Sequence, residues 1–282
     1  MTPIRFEDFQ SQDRLVLLAG PCVIESEEHV HKMGAAISAV AEAEGFRYIF
    51  KASFDKANRT SAAGYRGPGL KEGLRILAGM RAAGYSVVTD IHEPAQAGPA
   101  AEAVDVLQIP AFLCRQTDLL LEAGRTGRIV NVKKGQFVAP HDIHHAAEKV
   151  ASTGNRQIVL TERGSSFGYN NLVVDMRALR VMAGVGWPVV FDATHSVQLP
   201  SGAGGVSGGQ PQFIEPLASA AVAVGVSGIF VEVHDDPARA LSDGANALRL
   251  DLLPGFLRRL RLLNDARRAA DSASTDLAGR AS

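Results

Sequence analysis

Lys51, Lys56 and Arg59 bring three cations into nine residues, within the run Lys51-Ala-Ser-Phe-Asp-Lys-Ala-Asn-Arg-Thr-Ser61. Ser53, Asn58, Thr60 and Ser61 interleave them with short hydrogen-bonding side chains. Arginine offers a planar fork and lysine a point charge, while hydroxyls and amides fill the remaining lone pairs of an anion with several oxygens. The run follows the apolar Tyr48-Ile-Phe50, so it reads as a core strand opening into a polar loop. A solvated basic loop would carry the same charges, but these cations come straight off a probable core strand. The pattern predicts a site for a ligand with one or more phosphates.

Such a site needs a frame. Short, nearly continuous apolar runs at 15–18, 48–53, 86–91, 106–109, 129–133, 158–161, 189–192 and 228–231 read as strands. Helical patterns alternate with them at 27–44, 70–83, 93–103, 117–123, 140–152, 172–183, 211–224 and 248–263. Strands that are apolar on both faces, alternating with helices, predict an α/β fold with a buried parallel sheet. Eight such units in roughly 250 residues predict a single (β/α)8 TIM barrel over residues 1–264. A short extended N-terminal stretch at 3–6 is expected to cover one end of the core. The polar, alanine-rich segment 265–282 is expected to be a frayed or disordered tail.

The chain has 282 residues, with 46% hydrophobic and 21% charged, and can bury a large core. A net charge of −1 gives no global electrostatic case for nucleic acid or an anionic membrane. Residues 1–14 lack a signal-peptide pattern and no apolar run is long enough to span a bilayer. The two cysteines, Cys22 and Cys114, have no metal or redox pair spacing. Free thiols in a cytoplasmic setting are the expectation.

Barrel chemistry sits where the strands end. Those ends carry Cys22 and Glu25, Lys51 to Thr60, Asp90 and His92, Gln108, Lys133 and Lys134, Glu162 and Arg163, Asp192 and His195, and Glu232 and His234. Two sets stand out. Lys51, Lys56, Arg59, Lys133 and Arg163 converge from three strand ends, as phosphoryl oxygens require. For Lys51 a neighbouring acid such as Asp90 is an equal candidate partner, and Lys51 or Lys133 could also form a Schiff base. The second set is Cys22, His195, Glu232 and Asp243, from strands one, seven and eight and the loop that follows. One thiolate, one imidazole and two carboxylates suit Zn, Fe(II), Mn or Co. The residues alone leave other readings open: Cys22 as a small core residue, His195 with Glu232 as an acid–base pair, Asp243 as a helix cap. The cluster from His141 to His145 reads as the solvated face of an outer helix, and Cys114 as core. The glycine-rich 201–209 does not fit a dinucleotide fingerprint and reads as a mobile lid.

The motifs Leu-Ala-Gly-Pro-Cys-Val-Ile-Glu-Ser26, Phe-Lys-Ala-Ser-Phe-Asp-Lys-Ala-Asn-Arg59 and Tyr-Arg-Gly-Pro-Gly69 resemble the 3-deoxy-D-manno-octulosonate 8-phosphate synthases. So do Gln-Ile-Pro-Ala-Phe-Leu-Cys-Arg-Gln-Thr-Asp118, Asn-Val-Lys-Lys-Gly135, Thr-Glu-Arg-Gly164, Phe-Gly-Tyr-Asn-Asn-Leu-Val-Val-Asp175 and Phe-Asp-Ala-Thr-His-Ser-Val-Gln198. The resemblance covers about residues 15–260 in barrel order. It implies condensation of phosphoenolpyruvate with D-arabinose 5-phosphate, with release of phosphate, in lipopolysaccharide sugar synthesis. It also implies that Ser53, Lys56, Gln108, Lys133 and Arg163 hold phosphoenolpyruvate, with Lys51 beside them. Asn58, Arg59 and Thr60 would hold the sugar phosphate near Asp90, with Thr60 standing where serine is common. Arg115 would reach a neighbour's site in a homotetramer. Cysteine in the first-strand motif implies the metal-requiring branch, with Cys22, His195, Glu232 and Asp243 as ligands. Lys56, Cys22, His195 and Asp243 are the groups expected to act at the reacting atoms. The alternatives are a heptulosonate synthase using erythrose 4-phosphate, a Schiff-base aldolase, and a non-catalytic sugar-phosphate-binding barrel.

Overall fold

A computed structural model describes residues 2–11, 13–58, 64–200 and 208–279. Among these, eight parallel strands close into a ring: β1 Val16–Gly20, β2 Arg47–Lys51, β3 Val87–Asp90, β4 Val106–Ile109, β5 Ile129–Lys133, β6 Ile158–Glu162, β7 Val189–Asp192 and β8 Gly228–His234. Closure comes from β1, which pairs with β2 from Val16↔Arg47 onward and with β8 from Val16↔Gly228 to Gly20↔Glu232. Outer helices follow the strands: α2 Glu27–Ala43, α3 Leu70–Ala82, α4 Ala97–Ala103, α5 Thr117–Arg125, α6 His144–Ala151, α7 Met176–Ala183, α8 Ile214–Val224 and α9 Leu253–Gly279, with α1 Phe6–Ser11 preceding β1. The chain is a (β/α)8 barrel, as the alternation of elements predicts.

The pleat explains how one strand serves both core and chemistry. Successive side chains point to opposite faces. Val16, Leu18, Ile49, Val88, Val106, Ile129, Val159, Val190 and Phe230 form an inner cluster, while Leu17, Phe50, Leu107, Val130, Leu160, Phe191 and Ile229 pack outward with the helices. Two residues on from an inner apolar residue, the sequence turns polar: Ile49 to Lys51, Val88 to Asp90, Val106 to Gln108, Ile129 to Asn131, Val159 to Thr161, Val190 to Asp192 and Phe230 to Glu232. All seven of these polar residues are buried. The inner face is therefore apolar at one end and charged at the other.

Gly20 is required where β1 meets β2, since a Cβ there would lie 2.1 Å from the Lys51 carbonyl oxygen. The N-terminal extension differs from the extended stretch expected at 3–6. Residues from Phe6 form α1, which drives the fully buried Phe9 against the inner cluster, with Ile4 and Phe6 packed beside it. Five helix starts also lie later than the periodicity suggests: 3-10 turns precede Ala97, His144 and Ile214, and the short strands Leu172–Val173 and Leu248–Arg249 precede Met176 and Leu253. In the other direction, α9 runs to Gly279, through the segment read as a tail from Asp265. Ion pairs one turn apart, Arg261–Asp265 at 3.5 Å and Arg267–Asp271 at 2.7 Å, extend it. Residues 201–207 of the expected lid lie outside the described residues, and Gly208–Gly209 pair with Gln198–Leu199.

Phe9 seals the end of the barrel opposite the charged face. Phe9→Ala is expected to cost about 3–5 kcal/mol of stability. A fall in Tm of roughly 10 °C in a thermal melt, with turnover per folded molecule unchanged at low temperature, is the expected result.

Candidate active site

The polar ends of the strands surround a cavity of about 620 Å³ lined by Lys51, Lys56, Asp90, Gln108, Lys133, Arg163, His195 and Asp243, among others. Lys51 is 1% exposed and donates to Glu232 Oε1 and to the Cys22 carbonyl, each at 2.9 Å. Its partner is thus Glu232 rather than the Asp90 that the sequence also allowed. Lys56 Nζ lies 3.7 Å from the same Glu232 oxygen and 4.0 Å from Asp90 Oδ2.

Asp90 accepts from Ser53 Oγ at 2.6 Å and from Gln108 Nε2. The chain continues as Asn131 Nδ2 donates to Gln108 Oε1 at 3.0 Å and Thr161 Oγ1 donates to Asn131 Oδ1 at 2.6 Å. Four neighbouring strands, β3 to β6, and the loop after β2 are joined by these buried bonds, which fix the Gln108 amide. Burial disfavours the Asp90 carboxylate, but Lys51, Lys56, His92 and Lys133 outweigh it and hold Asp90 well below the usual carboxylate range.

Lys133 Nζ donates to Asp192 Oδ2 at 2.6 Å and lies 3.5 Å from the centroid of the Phe230 ring, so it is held by a carboxylate and a π face together. Arg163 is 4% exposed and donates to the His195 carbonyl at 3.2 Å and to Gln198 Oε1 at 2.9 Å. Its other terminal nitrogen, Nη1, is buried with no hydrogen-bond partner among the described residues, leaving a donor for a bound anion. Asn58 lines the cavity at an exposed position. Arg59 and Thr60 lie outside the described residues. Arg115 is exposed away from this chain's cavity, and its carbonyl accepts from Lys149 at 3.0 Å.

Of the four expected metal ligands, Cys22, Glu232 and Asp243 have donor atoms within 4.8 Å of one another. Cys22 Sγ lies 3.5 Å from Asp243 Oδ2, and Glu232 Oε2 is buried without a hydrogen-bond partner among the described residues. His195 is at the edge of this group, with Nε2 3.6 Å from Glu232 Oε1. Its Nδ1 is 2.9 Å from Asp192 Oδ2. Burial works against the Asp192 carboxylate, but His195 and Lys133 hold it well below the usual range, so it accepts the Nδ1 proton and orients the ring with Nε2 toward Glu232. Burial, then Asp243 and Glu232, push the Cys22 thiol up. A thiol and two carboxylates with donor atoms within 4.8 Å of one another, and an imidazole nitrogen at their edge, fit a divalent cation.

Several groups that organise the site are not in the sequence-derived set. Asp192 holds both Lys133 and His195, and only its place at a strand end hints at this. Ser242 Oγ lies 2.9 Å from Cys22 Sγ across 220 residues, a contact with no local signal. Lys134 is fully buried and donates to the Gly135 and Val138 carbonyls and Ser165 Oγ, tying the loops after β5 and β6. His144 and His145, with Glu148, also form a group able to hold a metal, but His145 and Glu148 are exposed, in keeping with a solvated helix face. Cys114 is buried core.

Curated relatives match this chain over most of their length. A chain from Koribacter versatilis is 61% identical over 269 residues, 94% of this chain and 96% of the relative. One from Syntrophotalea carbinolica is 59% identical over 257 residues, covering 91% and 93%, and one from Geobacter sulfurreducens is 56% identical over 251 residues, covering 89% and 92%. All three are named 2-dehydro-3-deoxyphosphooctonate aldolase. The model of the DAHP synthetase I family matches residues 8–267, a span that takes in every barrel strand and every strand-end residue described above. With the whole barrel inside that match, the chain belongs to the DAHP synthetase I family.

Proposed function

We propose that the cavity joins phosphoenolpyruvate to D-arabinose 5-phosphate and water, giving 3-deoxy-D-manno-octulosonate 8-phosphate and inorganic phosphate. The chain is an enzyme, a phosphoenolpyruvate-dependent transferase that forms a C–C bond, in line with relatives 56–61% identical to it. The observation that carries the reading is a cavity lined by Lys51, Lys56, Lys133 and Arg163 together with His195 and Asp243, the last having its carboxylate within 4.8 Å of the donor atoms of Cys22 and Glu232. In the reaction C3 of the enol bonds to the aldehyde carbon, whose oxygen takes a proton. Water adds at C2, and the C2–O bond to phosphate breaks.

Lys56, Lys133 and Arg163 supply positive charge for phosphoenolpyruvate, and Ser53 and Gln108 supply neutral hydrogen bonds. The free Arg163 donor supports this division. Lys51 acts mainly through Glu232, with which it is paired. On the resemblance, Asn58, Arg59 and Thr60 take the sugar phosphate, placing the aldehyde end near Asp90. Cys22, His195, Glu232 and Asp243 would hold a divalent ion. When bound, that ion would supply Lewis acidity at the attacking water or the aldehyde oxygen. Asp192 keeps His195 presenting Nε2, and Ser242 holds the loop beside Cys22. Arg115 is assigned to a neighbouring subunit's site in a homotetramer, and the reaction to the cytoplasm in lipopolysaccharide sugar synthesis. No helix among the described residues is long and apolar enough to cross a membrane. The family description leaves a heptulosonate synthase using erythrose 4-phosphate as the second reading, which the names of the relatives disfavour.

Phosphoenolpyruvate consumption with arabinose 5-phosphate is expected to stop after thorough chelation and to return on adding a divalent ion. Turnover indifferent to chelation would remove the metal role, and turnover only with erythrose 4-phosphate would move the chain to the second reading. Cys22→Asn is expected to lose bound metal while keeping measurable condensation.

The two anion sites are separable by kinetics. Losing one charge-assisted contact typically costs about 1.5–3 kcal/mol, or roughly 10- to 100-fold in binding. Arg163→Ala is expected to raise KM for phosphoenolpyruvate by that factor, and Arg59→Ala to raise KM for the sugar phosphate. Equal rises for both substrates in both variants would refute the assignment.

A further inference from the structure

The loop between β1 and α2 grips the loop after β8 at two points. Cys22 Sγ meets Ser242 Oγ and Asp243 Oδ2 at 2.9 and 3.5 Å. Three residues on, Glu25 Oε1 accepts the Leu241 N–H at 2.9 Å and lies 3.2 Å from His234 Nε2. Glu25 sits on fixed backbone. Ile24 N–H donates to the Ser53 carbonyl at 2.9 Å, Tyr65 Oη–H donates to the Ile24 carbonyl at 3.0 Å, and Ser26 caps α2 by accepting the His29 N–H at 3.0 Å.

What Glu25 holds is a largely exposed segment, with Asp236, Ala238, Arg239 and Leu241 all exposed. The Leu241 side chain is 47% exposed, so apolar packing contributes little to its place. Two residues later Asp243 adopts φ +48°, a left-handed conformation that a non-glycine residue keeps only where its surroundings impose it.

We propose that Glu25 is a positioning residue: together with His234 it clamps residues 236–243 so that Asp243 faces Cys22 and Glu232 across the metal group. The proposal rests on the four-ligand reading above for its consequence, although the clamp itself does not require an ion.

Glu25, His29 and His234 also have donor atoms within 4.8 Å of one another and could in principle take a metal themselves. The backbone argues against it. The Asp236 N–H donates to His234 Nδ1 at 2.9 Å, and an amide proton cannot relocate, so the ring carries its own proton on Nε2 and donates it to Glu25. Asp235 Oδ1, 3.1 Å from the same Nδ1, is met by His29 Nε2 at 3.0 Å. His234 thus has no lone pair to offer on the side where Glu25 lies.

The test compares wild type, Glu25→Ala, Glu25→Gln and Ser26→Ala. Hydrogen exchange followed by mass spectrometry on metal-free protein is expected to speed up about tenfold in residues 236–243 of Glu25→Ala. In Glu25→Gln it should stay near wild type, because the amide oxygen accepts the same N–H. Ser26→Ala loosens α2 without touching the loop and should leave the segment unchanged. In parallel, Cd2+ titration read by the thiolate-to-metal absorbance of Cys22 is expected to show about tenfold weaker binding in Glu25→Ala alone.

Unchanged exchange in Glu25→Ala would overturn the clamp. Equal losses in Glu25→Ala and Glu25→Gln would overturn it too, by showing that charge rather than the hydrogen bond matters. Two Cd2+ ions per chain, falling to one in Glu25→Ala, would assign the cluster to a metal instead. No thiolate band in wild type would refute the four-ligand reading, while the exchange data still decide the clamp.

Discussion

The mouth of this barrel depends on the buried pair between Lys51 and Glu232. Each side chain is 1% exposed and their charged atoms are 2.9 Å apart. Two charges removed from water need good geometry and further hydrogen bonds to be tolerated, and breaking one partner leaves an uncompensated charge. Lys51 meets the requirement through its second bond, to the Cys22 carbonyl. Glu232 meets it with one oxygen shared by Lys51, Lys56 and His195, keeping the other free of protein partners. The sum of these contacts holds Glu232 well below the usual carboxylate range despite burial, which by itself would raise it. The carboxylate is thus kept ionised although fully buried, and the lysine that keeps it so lines the cavity at the strand ends.

The same logic runs around the ring. Asp192 balances Lys133 and orients His195, Asp90 balances Lys56 and takes hydrogen bonds from Ser53 and Gln108. A chain with a net charge of only −1 can therefore concentrate many ionised groups at one end of its core, since Lys51, Lys56 and Lys133 each have an acid within reach. Beneath them Phe230 forms an apolar floor on which Lys133 rests. Stability resides at the end sealed by Phe9 and chemistry at the other.

The eight strands and the convergence of their ends were legible because buried parallel strands leave continuous apolar runs, and the polar residue that ends each run marks the mouth. The pairings were not. Lys51 to Glu232, Asp192 to both Lys133 and His195, and Cys22 to Ser242 are choices among several possible neighbours, made by three-dimensional register rather than by spacing. His195 was read as an equal member of the ligand set, yet it stands at the edge of a group of three. The helix starts at Met176 and Leu253 were misplaced because a two-residue strand leaves almost no periodic signal. The length of α9 escaped because it rests on Arg–Asp pairs along a polar face rather than on an apolar stripe.

β1 is flanked on one side by β2 and on the other by β8, so the ring closes along a seam formed by the first and last strands. Lys51 and Glu232 face each other across that seam, 181 residues apart in the chain. Until the ends meet, neither charge has its partner, and Cys22 has neither Ser242 nor Asp243 beside it. The grouping of Lys51, Glu232, Cys22 and Asp243 is thus a product of ring closure: it exists only where the first and last strands have paired, so its integrity reports on the closure of the whole barrel.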